Sequence, residues 1–224
     1  MITKFARLEF ELFTKPSSLK EKKYTPGGWV LQSFKKEAYL KTKNKTLAEL
    51  DRSPEVGIVM GSDSDLEIME ETASILKKFG VPYEMTVASA HRNPKKTAEF
   101  ACYAHERGIK VIVAGAGHAA HLAGTLAAFT WLPVIGVPID SSCLQGLDSL
   151  LSTVQMPPGV PVATVAIGKP GARNAGILAV QILALSNQKL TKMLKTFKEE
   201  LAKQVDQKAE QLKDSSGRPV TSHA

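Results

Sequence analysis

Glu55-Val56-Gly57-Ile58-Val59-Met60-Gly61-Ser62-Asp63-Ser64-Asp65 is the stretch from which the fold can be read. Val56 to Met60 is a short run with no polar side chain, so it cannot alternate between a wet face and a dry one. It predicts a strand covered on both sides. The run breaks at Gly61 into a small polar turn. From residue 66 to residue 79 the apolar Ile68, Met69, Ala73, Ile75, Leu76 and Phe79 then recur at roughly helical spacing, and Gly80 ends the pattern. A buried strand, a Gly/Ser/Asp turn and an amphipathic helix make the opening of a parallel β-α-β unit.

The same alternation continues downstream. Further strands are expected at 83–88, 110–114, 132–137 and 162–167, and further helices at 93–108, 119–130, 144–154, 172–185 and 189–213. Five such units in about 130 residues fit an α/β, flavodoxin-like three-layer α/β/α fold with a parallel doubly wound sheet and right-handed crossovers. In such sheets ligands sit beyond the carboxyl ends of the strands. That rule brings residues 61–65, 89–92 and 115–121 to one rim.

Around this body the composition sorts the 224 residues into three parts. Residues 1–53 read as a basic N-terminal extension, partly disordered; 54–187 as the α/β domain; and 188–224 as a charged C-terminal helix with a polar tail. The formal net charge is +7, and residues 1–50 hold 11 Lys or Arg against 5 Glu, so nearly all of the excess lies in the extension. That arm has no regular spacing of stacking aromatics, so nucleic acid is not an expected partner. No apolar run reaches the roughly 20 residues of a membrane span. The opening residues lack the compact apolar segment of a secretory signal. Cys102 and Cys143 form no CxxC or metal-ligand pattern. A reducing, cytoplasmic setting is therefore expected.

Three loops carry the chemistry. In Gly61-Ser62-Asp63-Ser64-Asp65 the small residues let backbone N–H groups approach an anion at a helix N-terminus. Ser62 and Ser64 can donate hydroxyl hydrogen bonds, and Asp65 can accept one from a ribose hydroxyl; capping of the helix alone would use the same residues. In Ser89-Ala90-His91-Arg92 the guanidinium of Arg92 offers a planar fork suited to phosphate. His91 supports either catalysis or the local structure. In Ala114-Gly115-Ala116-Gly117-His118-Ala119-Ala120-His121 the small side chains leave room for a flat ring or for CO₂. His121 is there the titratable group suited to proton transfer near neutral pH. The spacing of His118 and His121 also invites zinc, but no HExxH pattern or third ligand accompanies it, so no metal is expected.

These motifs, MGSDSD at 60–65, SAHR at 89–92, GAG-x-AAHL at 115–122 and DSLLSTVQMP at 148–157, together resemble the PurE family, the catalytic subunit of phosphoribosylaminoimidazole carboxylase. The likeness runs from about Val56 to Leu185. Within the family, SAHR and GAG-x-AAHL resemble the mutase class, which turns N5-carboxyaminoimidazole ribonucleotide (N5-CAIR) into its C4-carboxylated isomer (CAIR). The resemblance implies that His121 protonates the carbamate nitrogen, releasing CO₂ that stays trapped beside aminoimidazole ribonucleotide (AIR). C4 then attacks that CO₂, and His121 removes the C4 proton. It further implies that Ser62, Asp65 and Arg92 bind the ribonucleotide with help from Ser64 and Ser89, and that Gly115, Ala116 and Gly117 wall the CO₂ pocket. It implies no cofactor, a homo-octamer, and transient contact with an ATP-dependent N5-CAIR synthetase.

The chain departs from the commonest form of the motif at His118, usually Gly, at Ala123, usually Pro, and at Thr125, usually Met. A direct AIR carboxylase using CO₂ is the alternative within the family. Outside it stand a non-catalytic nucleotide-binding module and, since this architecture also holds FMN, a redox flavoprotein.

Overall fold

The computed structural model describes residues 53–213; the extension before them and the tail after them lie outside the described residues. In chain order the elements are β1 (Val56–Met60), α1 (Leu66–Lys78), β2 (Tyr83–Val87), α2 (Pro94–Tyr103), β3 (Val111–Gly117), α3 (Leu122–Ala128), β4 (Val134–Ile139), α4 (Leu147–Val154), β5 (Ala163–Thr164), α5 (Gly168–Ala184) and α6 (Gln188–Gln211). The strands form one parallel sheet in the order β2-β1-β3-β4-β5. This is the doubly wound order expected from the sequence, with its switch point between β1 and β3.

Alternate residues of the central strands feed two cores. On one face Ile58, Met60, Val113, Ile135 and Val137 pack against Met69 and Leu76 of α1 and Ala175, Ala179 and Val180 of α5. On the other, Val59, Ile112, Ala114 and Val134 meet Ala101 of α2 and Leu122 and Leu126 of α3. Burial of each large apolar side chain stabilises the fold by about 1.5–3 kcal/mol. α1 and α5 approach closely because Gly176 has no Cβ; one placed there would lie 2.9 Å from Ile75. Thr72, fully buried on α1, donates to the Ala172 carbonyl at 2.7 Å and so leaves no unpaired hydroxyl in the contact. α6 joins the first core through Leu190, with Met193, Leu194 and Phe197 packed against it, whereas Leu201, Val205 and Leu212 near its far end are exposed.

Several boundaries differ from the expectation. β3 runs three residues further, to Gly117, because β4 lies beside it and pairs with Gly115, Ala116 and Gly117. α3 begins at Leu122 and not at 119, since the His121 N–H turns back to the Ala119 carbonyl at 2.8 Å and the Ala120 N–H donates to the Ser152 hydroxyl at 2.9 Å, a tight turn in place of a first helical one. β5 shrinks to two residues at the sheet edge, paired only to Ile135 and Gly136. α5 begins four residues early, at Gly168: Pro170 falls in its first turn, where a missing N–H costs nothing. The helix expected at 93–108 ends at Tyr103 and passes through a single 3-10 turn, His105–Arg107, to a left-handed Gly108.

Candidate active site

The loops after β1, β2 and β3 meet at the carboxyl end of the sheet and enclose a cleft of about 620 Å³. The first loop is held by its own side chains. The Ser62 hydroxyl accepts from the Ser64 N–H at 3.4 Å, and Asp65 Oδ2 accepts from the Ser62 N–H at 3.0 Å, a reciprocal cap on the turn that leads into α1. Asp65 is only 4% exposed. Burial raises its carboxyl above the ordinary value, while the Ser62 N–H, His118 and Ser64 pull it back down. The loop is tied to the sheet by the Gly61 N–H, which donates to the Gly115 carbonyl at 3.0 Å.

Ser89 organises the second loop. Its hydroxyl accepts from the backbone N–H of Arg92 at 3.2 Å and from Nε at 3.4 Å, while Nη2 of Arg92 donates to the Gly61 carbonyl at 3.4 Å. The guanidinium thus bridges the first two loops. A smaller cavity of about 390 Å³ adjoins it, lined by Ser62, Ser89, Arg92, Asn93 and Lys96 among others. Both cavities share Arg92, so an anion placed there meets a fixed cation together with serine hydroxyls.

His91 Nε2 lies 2.9 Å from His121 Nδ1, with the two rings nearly perpendicular at 82°. This contact joins the second loop to the third. One proton occupies the bond between them, and either ring can hold it.

Of the ten residues expected at the site, Ser62, Ser64, Asp65, Ser89, His91, Arg92, Ala116 and Gly117 line the main cleft. Gly115 and His121 do not. The space a Cβ at Gly115 would enter is filled by the Met69 sulfur, 2.2 Å from that position, so Gly115 serves core packing behind the wall. His121 adjoins the cleft through His91. Two further residues line the cleft: Ser141, just past the end of β4, which was not expected there, and His118, noted on the rim but not among the expected site residues; Ser141 Oγ lies 3.0 Å from His118 Nδ1. The rule that ligands gather beyond strand carboxyl ends, applied to β4 as well, would have found Ser141. Among the described residues no group of three or more His, Cys, Asp or Glu side chains is placed to hold a metal ion. Among the same residues no helix is long and apolar enough to cross a membrane.

A profile of AIR carboxylase matches residues 55–204. The chain is 55% identical over 161 residues to the N5-carboxyaminoimidazole ribonucleotide mutase of Pyrococcus horikoshii, covering 72% of this chain and 90% of that one. It is 56% identical over 159 residues to the protein of the same name from Thermotoga maritima, covering 71% and 92%. It is 56% identical over 162 residues to that of Bacillus subtilis, covering 72% and 93%. Among solved structures, PurE of Treponema denticola superimposes with a TM-score of 0.66 at 29% identity, over 72% of this chain and 99% of that one.

Proposed function

The chain belongs to the AIR carboxylase family, and on that premise we propose that it is an N5-carboxyaminoimidazole ribonucleotide mutase of purine biosynthesis, an isomerase that moves a carboxyl group from N5 to C4 of the aminoimidazole ring. The observation that carries this reading is the meeting, in one cleft, of an arginine- and serine-lined anion site with His91, itself hydrogen-bonded to His121 beside the cleft.

Arg92, Ser62, Ser64 and Ser89 hold the phosphate, and Asp65 accepts from a ribose hydroxyl. Ala116 and Gly117 give the imidazole ring a wall of hydrogen and methyl groups. Proton transfer belongs to the His91–His121 pair. Since Nε2 of His91 is engaged by His121, Nδ1 is the nitrogen left to exchange a proton with the substrate. His91 gives that proton to N5 as the N5–carboxyl bond breaks, and CO₂ departs. C4 then forms its bond to the same CO₂, and the pair takes the C4 proton as the ring regains aromaticity. The net change moves a proton from C4 to N5 and the carboxyl group the other way, so charge and atoms balance without ATP or an oxidant. His121 keeps the shared proton within reach of His91 between the two halves of the reaction. Holding CO₂ beside C4 replaces an encounter in solution by a near-attack geometry.

The finer expectations belong to the same proposal. A homo-oligomer, octameric by resemblance, is supported by the exposed Leu147, Leu151 and Val154, which lie on one side of α4 at helical spacing. A cytoplasmic location and delivery of the labile substrate by an ATP-dependent synthetase complete it. The test is turnover of the purified chain with freshly prepared N5-CAIR, in parallel with AIR plus dilute bicarbonate. Conversion of N5-CAIR to CAIR with negligible use of AIR is the expected result. Efficient carboxylation of AIR, or no product from either, would overturn the proposal.

A further inference from the structure

We infer that His118 is a specificity-determining residue of this cleft, whose free imidazole nitrogen receives the migrating carboxyl group and so separates carboxylated from decarboxylated ribonucleotide. The inference rests on the mutase reading above.

The backbone at His118 is left-handed, with φ of 53°, a conformation disfavoured for any residue that carries a Cβ. The surroundings hold it there. Ser152 donates its hydroxyl to the Asp148 carbonyl at 2.7 Å, and that anchored hydroxyl accepts from the Ala120 N–H at 2.9 Å, pinning the turn two residues after His118. The ring is fixed separately by Ser141 Oγ, 3.0 Å from Nδ1. That contact depends on Gly117, where a Cβ would fall 1.8 Å from Ser141 Oγ. With Nδ1 engaged, Nε2 is the nitrogen left for a ligand.

Three observations point to a carboxyl group as that ligand. Among the four consecutive wall residues Ala116, Gly117, His118 and Ala119, the imidazole is the sole polar side chain; the rest contribute hydrogen or methyl groups. A flat three-atom group fits against such a surface and finds a single donor there. The phosphate is provided for elsewhere, by the guanidinium and hydroxyls of the first two loops. Finally, His118 acts electrostatically on two carboxylates, Asp65 and Asp148. The Ser142 hydroxyl first, and His118 among the lesser causes, hold Asp148 below its ordinary value; at Asp65 His118 opposes the upward push of burial. Asp65 lines the same cleft, so an anionic carboxyl group entering it is repelled unless a donor such as the His118 imidazole faces it.

The test compares His118→Gly with the parent chain. Glycine adopts a left-handed φ without strain, so the variant keeps its fold and melts no lower. The dissociation constants of CAIR and of AIR are measured by calorimetry for both proteins, with N5-CAIR turnover alongside. The expected result is about tenfold weaker CAIR binding, the size of one lost hydrogen bond to a charged group, with AIR binding changed less than about twofold. A parallel loss for both ligands, or no loss for either, overturns the inference while leaving the mutase reading intact. A parent chain that binds neither ligand and does not turn over N5-CAIR overturns that reading, and the inference with it.

Discussion

Val111, Ile112 and Val113 of β3 are wholly buried between helices, whereas Ala116 and Gly117, on the same strand, line an open cleft. Where the strand is buried, each residue answers to packing alone: it is apolar and extended, paired to β1 and, from Ile112 onward, to β4 as well. Towards its carboxyl end the demands change. The pairing to β1 stops at Gly115, side chains shrink, and three residues further the chain takes a left-handed turn at His118. The rim also carries a buried carboxylate at Asp65 and a direct histidine–histidine bond, which an apolar interior would not tolerate. Stability resides in the interior, and the strain and polar burial at the rim are what that stability supports.

The sharpest way to break this comparison is to alter the rim and ask whether the fold notices. His91→Asn removes the pair from the cleft and lowers kcat by about 10² to 10⁴-fold, with a melting temperature within about 2 °C of the parent. Steady-state kinetics and a thermal melt check both halves, and a large drop in stability would contradict the division. The converse is Leu76→Ala, which empties a fully buried site on α1 far from the reacting groups. It costs about 2–5 kcal/mol by denaturant titration, while kcat per folded molecule stays within about twofold of the parent. Gly115→Ala tests the seam between the regions. A methyl group there meets the Met69 sulfur, and the flexible thioether yields only in part, so a loss of about 1–3 kcal/mol is expected with a measurable rise in KM.

The smallest effect is expected at Asp65. Its carboxyl is raised in the folded protein, mainly by burial, so the ionised form carries a penalty that is present above the folded pKa. That penalty disappears as pH falls below the ordinary carboxylate range. Asp65→Asn therefore melts no lower than the parent near neutral pH, and its advantage fades on acidification. Ribonucleotide binding weakens at the same time. Melts across pH 3 to 8 check the sign, and an advantage that grows in acid would contradict it.

The same contrast explains what could be read from the sequence. β1, β3 and β4 announce themselves because buried parallel strands leave only apolar residues, and the glycine-broken loops after them mark the rim. β5 was expected to be six residues long; only Ala163 and Thr164 pair as strand, because an edge position with a single neighbour demands little of its sequence. α5 was expected to begin at Ala172, since Gly168, Pro170 and Gly171 read as a loop, although a first helical turn accommodates them all. At the site, Ser62, Asp65, Ser89 and Arg92 were legible because residue type and strand-end position agree. The bond between His91 and His121 was not, since the two lie 30 positions apart and only the crossover from β2 through α2 to β3, on the far side of β1, brings them together. Nor was the hold of Ser141 on His118, which depends on the absence of a single Cβ at Gly117.

The proposed mechanism requires the carboxyl group to stay in the cleft while it changes partners. N5-CAIR labelled with ¹³C in its carbamate, mixed with excess enzyme and a large pool of unlabelled bicarbonate, tests this directly when the CAIR formed is analysed by mass spectrometry. CAIR that keeps most of the label is the predicted result, because the CO₂ released from N5 is captured by C4 before it escapes. CAIR whose carboxyl group matches the unlabelled pool would contradict the account and show that the chain draws its CO₂ from solution.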